Sequence, residues 1–140
     1  MGPPRTLKLF VMRYTPSTFS WRARRKSFVY AGAGIWHLLK TEHNAWIHLV
    51  TTLLVAMAAL YFKVSRLEMG LLFFAIVLVW VAEMLNTCIE KTLDFITQKR
   101  CEEIRRIKDI AAGAVLLAAL ASISIGALVF IPKIIATYGQ

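Results

Sequence analysis

Four residues of this 140-residue chain stand out for chemistry: Glu83, Asn86, Glu90 and Asp94. Steps of three, four and four residues keep them within about an 80° arc of a helix that turns about 100° per residue. One stripe therefore presents three carboxylates and an amide. The surrounding residues are apolar, and an ionisable side chain set in hydrocarbon costs roughly 2.5–3.5 kcal/mol on insertion scales, so each one asks for a reason. Carboxylates gathered at one site repel one another unless a cation sits among them, and hard oxygen ligands suit Mg²⁺. A lysine beside them suits a phosphate, and Lys108 with Asp109 follows the stripe closely.

The elements that must hold this stripe are membrane spans. The chain is 58% hydrophobic with a mean hydropathy of +0.59, too apolar for a soluble domain of this length. Three apolar stretches, about 45–62, 69–88 and 110–131, each approach the roughly 20 residues needed to cross about 30 Å of hydrocarbon. Backbone groups in lipid must be satisfied within the segment, so the stretches are expected to be helices. The third is expected to stop at Pro132-Lys133. Alanine and glycine between Ala111 and Ala121 suit close helix packing. Residues 17–41 form a different kind of element. Trp21, Phe28 and Ile35 recur at helical spacing beside the basic cluster Arg22, Arg24, Arg25 and Lys26, which predicts an amphipathic helix lying in the membrane interface. The fold class is thus an all-α membrane protein of three transmembrane helices plus an N-terminal interfacial helix. Residues 17–140 read as a single domain and residues 1–16 as a poorly ordered tail.

Charge sets the orientation. Residues 1–40 hold eight lysines and arginines and residues 91–109 hold six, whereas the connection 63–68 holds only Lys63 and Arg66. The positive-inside bias puts the N-terminus and the second loop in the cytoplasm and the C-terminus outside, in a cell's inner membrane. The formal charge of +9 is read as attraction to a bilayer surface and not to nucleic acid. Counting about 1.5 Å per residue from Met69 puts Glu83 roughly 20 Å across, a few ångströms short of the cytoplasmic edge. Topology brings Glu42, Glu83, Asn86, Glu90, Asp94, Lys108 and Asp109 to one level. A metal–phosphate site at the depth of a lipid headgroup hydroxyl fits that arrangement. Interhelical ion pairs, such as Glu90 with Lys108, are the plainer alternative.

The other polar residues carry less. His37, His43 and His48 lack zinc-site spacing and are assigned to interfacial packing, as are Trp36, Trp46 and Trp80. Ser122 and Ser124 are expected to bond the preceding helical turn. Gly32-Ala-Gly34 lacks the third glycine and the preceding strand of a phosphate loop. Cys88 and Cys101 match no redox or metal spacing and are read as inert.

The run EMLNTCIEKTLD, Glu83 to Asp94, followed by KDIAAGAVL, Lys108 to Leu116, resembles the signature of the prokaryotic diacylglycerol kinase and undecaprenol kinase family. Phe28, Ala31 and Gly34 with Glu42, Asn44 and His48 resemble its first block, so that the likeness covers about residues 24–131. The resemblance implies an integral-membrane lipid kinase, a homotrimer of three-span subunits with Mg²⁺ and ATP at sites between subunits. It implies that Glu83 is the general base that takes the proton of the lipid hydroxyl, and that Glu42 and Glu90 hold Mg²⁺. Lys108 would neutralise phosphate charge, Asn86, Asp94 and Asp109 would position nucleotide and neighbours, and Tyr30 falls among nucleotide contacts. Phosphoryl transfer needs in-line placement and charge neutralisation more than covalent help, and these residue types supply both.

The block around Glu42 reads EHNAWIH, whereas the undecaprenol type has arginines at the places of His43 and Trp46; Ala31 and Ala112 stand where the diacylglycerol type carries serines. Asn44, His48 and Asn86-Thr87 lean towards the undecaprenol type. The acceptor expected is therefore undecaprenol, with diacylglycerol as the alternative. A non-catalytic, cation-binding membrane scaffold is the competing reading from another class. A cation transporter ranks last, because no polar path continues through the rest of the bilayer.

Overall fold

A computed structural model of the chain describes residues 20–97 and 101–139, which form four helices: α1 (Trp21–Thr41), α2 (His43–Tyr61), α3 (Arg66–Ile96) and α4 (Glu102–Tyr138). The expected tail, residues 1–16, lies outside the described residues. Three of the helices, α2, α3 and α4, are long and apolar enough to cross a membrane, as the hydropathy of the chain predicts. The chain divides into two compact units, residues 1–35 and 36–140. In the first, α1 begins where the Ser20 hydroxyl accepts the Ala23 N–H at 3.4 Å. Every residue from 20 to 35 is exposed, the basic cluster and the aromatics Trp21 and Phe28 alike.

The second unit holds the three spans. A single residue, Glu42, separates α1 from α2; its backbone is extended (φ −107°, ψ 119°) while its N–H still bonds the Leu38 carbonyl at 2.9 Å. Its side chain does not cap α2 but accepts from Lys91 and Thr41 instead. At the other end of α2 the chain reverses in four residues. Val64 N–H bonds the Ala59 carbonyl at 3.1 Å and Lys63 N–H the Leu60 carbonyl at 3.2 Å, closing a Schellman motif around Lys63, which stands at φ 48°. Ser65 then starts α3 with a capping box, its hydroxyl accepting from Glu68 N–H while Glu68 accepts from Ser65 N–H. The two devices bring α3 back beside α2.

Small residues let α3 and α4 approach closely: Ala75 on α3 and Ala111 and Ala118 on α4 are buried. Ser122 bridges the pair, with the Ala75 carbonyl at 2.9 Å on one side and its own turn's Ala118 carbonyl at 2.8 Å on the other. Ser124 bonds only its own preceding turn, at Leu120. A small core of Ala59, Leu72 and Val129 closes the end near the α2–α3 turn, with Val64 and Phe130 against it.

One expectation is corrected here. Helix α4 does not stop at Pro132 but runs on to Tyr138. The proline removes the hydrogen bond that its N–H would give the preceding turn, which weakens a helix but need not end it within a membrane. Beyond it, Lys133 reaches Glu68 at 3.1 Å and the Tyr138 and Tyr61 hydroxyls meet at 2.8 Å. These cross-links hold the extra turns against α2 and α3. The helices also outrun the apolar stretches at the charged end, so that Glu90, Asp94, Lys108 and Asp109 all sit on helix.

Candidate functional site at the charged end of the spans

Helix α3 presents Glu83, Asn86 and Glu90 on the face expected, three and four residues apart. Glu83 is 3% exposed and Asn86 9%, both unusual burials for polar residues in so thin a core. From Asn86, Nδ2 donates to Glu90 Oε1 at 3.2 Å, whereas its buried Oδ1 has no partner. An orphaned buried acceptor costs about 1–3 kcal/mol, so a donor or cation arriving there would relieve a standing penalty.

Facing this stripe is a polar stripe on α2, Asn44 and His48, one turn apart. Together with Glu83, Asn86 and Glu90 they line a pocket of about 400 Å³, closed on the α4 side by Ala112, Val115, Leu116 and Ala119. His48 Nε2 stands 3.7 Å from Glu83 Oε2. Through Ile47, His48 and Ala119 the pocket adjoins a second, apolar cleft of about 420 Å³ that runs between the spans past Val55, Leu72 and Ile76 to Phe130. A carboxylate beside the junction residue His48, where a polar pocket meets a hydrocarbon-lined cleft, can meet an alcohol that carries a long apolar tail.

Towards the loop end the charged residues pair. Lys108 Nζ donates to Asp94 Oδ1 at 2.6 Å, joining α4 to α3. Lys91 Nζ bonds Glu42 Oε1 at 2.9 Å, which ties the α1–α2 break to α3. That ammonium, with help from the Thr41 hydroxyl at 3.1 Å, holds the Glu42 carboxyl below its ordinary range. Lys91 is also within electrostatic reach of Asp94 and Glu90. It supplies the cation that a cluster of carboxylates requires.

Of the residues singled out by sequence, Glu83, Asn86 and Glu90 line one pocket, and Lys108 and Asp94 pair beside it. Glu42 is engaged by Lys91, and Glu90 is bonded to Asn86 rather than to Lys108. Asp109 pairs along its own helix with Arg105 at 3.6 Å and does not line the pocket. Tyr30 lies in the first unit and is exposed. Among the described residues no three His, Cys, Asp or Glu side chains converge into a ready cation cage. The donor set nonetheless suits Mg²⁺, which takes one or two carboxylates and completes its octahedron with water and substrate phosphate. The orphaned Asn86 oxygen beside Glu90 is the acceptor such a site needs.

Asn44 and His48, which in the sequence mark only the likeness to the family and its undecaprenol type, line the pocket, and Lys91, not singled out in the sequence, bonds Glu42. The missed signal was the spacing Asn44, His48, Thr52, a polar i, i+4, i+8 stripe on an otherwise apolar span. Such a stripe needs polar company, and it faces the acidic one.

Residues 29–130 match the family model of the prokaryotic diacylglycerol kinases. The chain is 40% identical over 109 residues to an undecaprenol kinase of Bacillus subtilis (strain 168), a match spanning 78% of this chain and 89% of that protein. It is 36% identical over 110 residues to a diacylglycerol kinase of Synechocystis sp., spanning 78% of this chain and 63% of that one.

Proposed function

The chain belongs to the prokaryotic diacylglycerol kinase family, and from that premise we propose that it is an integral-membrane lipid kinase acting on undecaprenol with Mg-ATP. The observation that carries this reading is the buried carboxylate of Glu83 in a polar pocket, 3.7 Å from His48, which that pocket shares with an apolar cleft. A lipid alcohol seated in the cleft presents its hydroxyl there, where Glu83 accepts the proton. The alcohol oxygen forms a bond to the γ-phosphorus as the bond from that phosphorus to the β–γ bridging oxygen breaks, and ADP leaves. Lys108, paired with Asp94, supplies the cation that neutralises phosphate charge. Asn86 and Asp94 orient the nucleotide; Asp109, paired with Arg105, serves from the rim. Glu90 and Glu42 would hold Mg²⁺, and Lys91 neutralises Glu42 in its absence. An ion held there would supply positive charge to offset what develops on the phosphates.

Undecaprenol is favoured because the relative carrying that name is 40% identical and is matched over most of its length, and because Asn44 and His48 line the pocket. Diacylglycerol is the second reading, favoured by the Synechocystis relative. Incubating the purified chain with γ-labelled ATP and either undecaprenol or dioleoylglycerol in mixed micelles decides between them. Transfer to neither would leave only the cation-binding scaffold. With the better acceptor, Glu83→Gln is expected to lower turnover by about 10²–10⁴-fold, the range for losing a general base, while helicity and ATP binding are kept. Unchanged turnover would remove the base from Glu83.

A further inference from the structure

A carboxylate buried as deeply as Glu83 needs a partner, because an unpaired charge in apolar surroundings is expelled or neutralised. Among the described residues, the polar side chain that closes on it is His48, with Nε2 at 3.7 Å from Oε2. That imidazole is itself held. The Trp80 ring meets it edge-on, with centroids 6.2 Å apart at 61°. The Trp80 indole N–H donates to the Thr52 hydroxyl at 3.1 Å, and the Thr52 hydroxyl donates to the His48 carbonyl at 2.7 Å. The circuit starts and ends on His48. It uses two residues one turn apart on α2 and Trp80 on α3, one turn before Glu83.

We propose that His48 is the positioning residue for Glu83, a role that rests on reading Glu83 as the base. In its Nε2–H tautomer the imidazole donates towards Oε2 and fixes the plane of the carboxylate, leaving the other oxygen to take the alcohol's proton. The separation is just beyond hydrogen-bond length, and catalytic hydrogen bonds of this kind tighten in the transition-state complex. His48 is also one of the residues shared by the polar pocket and the apolar cleft. It therefore sits where the hydrocarbon tail of the acceptor gives way to its reacting hydroxyl. The logic is that of any base oriented by a third group, here supplied across a helix–helix contact.

The test separates orientation from packing. Histidine Nε2 is mimicked in position by the glutamine amide, whereas the asparagine amide reaches only as far as Nδ1. The full chain is assayed in mixed micelles with labelled ATP and both undecaprenol and dioleoylglycerol. His48→Ala is expected to lower kcat by about 10²-fold, the cost of a misplaced catalytic group, with the KM for ATP within about twofold. His48→Gln should recover to within about fivefold of the parent and His48→Asn should not. Turnover of His48→Ala near the parent's, or a glutamine variant no better than asparagine, would overturn the proposal. The glutamine–asparagine comparison still decides should the alanine variant fail to fold. Glu83→Gln runs in parallel: its inactivity beside an active His48→Ala sinks only the role of His48, whereas its full activity sinks the base itself.

Discussion

Glu42 shows how a site residue can be tuned by a neighbour that sequence spacing does not single out. Lys91 bonds it at 2.9 Å and depresses its carboxyl below the ordinary value of 4.5. A depressed folded-state value means that Glu42 contributes stability at pH above 4.5 and loses it as the pH falls through the lowered value. Replacing Lys91 with methionine should move the Glu42 titration upward, towards 4.5, as followed by carboxyl ¹³C shifts in micelles. A titration that stays low would assign the shift to Thr41 instead. The acidic stripe of α3 was legible from spacing because helix periodicity alone puts Glu83, Asn86 and Glu90 on one face. What faces them was not, since no local pattern reports which turn of α2 meets which turn of α3. His48 and Lys91 gain their meaning only from that register.

At the level of elements, hydropathy locates the three spans, because length and apolarity are all that a bilayer demands of a helix. It misplaces the end of α4, because Pro132 signals a stop that the contacts of Lys133 and Tyr138 override. It is also silent about the α2–α3 reversal, where the αL position of the Schellman motif is filled by Lys63 and not glycine. A side chain there pays a left-handed penalty that glycine avoids. Lys63→Gly should therefore stabilise the chain by about 0.5–1 kcal/mol, and Lys63→Val should destabilise it, because a β-branched residue fits φ above zero worst. Unfolding in mixed micelles of graded SDS content measures both. Turnover is expected to be unchanged in either, since the turn lies at the end of the spans away from Glu83. A stabilising valine would mean that the turn relaxes out of the left-handed region.

For the whole molecule the controlling fact is how little one chain buries. Among the described residues eight apolar side chains reach the interior, while Phe73, Phe74, Leu117 and Leu128 are exposed. Lipid can cover such surfaces, but a groove of about 550 Å³ between α3 and α4, lined by Leu78, Leu85, Ala114 and Ala121, asks for a shaped occupant. Asn86 lines this groove as well as the polar pocket, so whatever fills it abuts that pocket. The homotrimer that the sequence resemblance implies would put a second copy of the chain there. Association in lipid rests on close packing of small residues, and Ala82, Ala114 and Ala121 supply them here. Light scattering in detergent should then give a protein mass of three times 15.8 kDa. Ala114→Trp, which fills the groove, should lower that mass and the turnover together while leaving helicity intact. A trimer that survives the tryptophan with full activity would place the contact elsewhere, and a fully active particle of one chain's mass would remove the need for a partner.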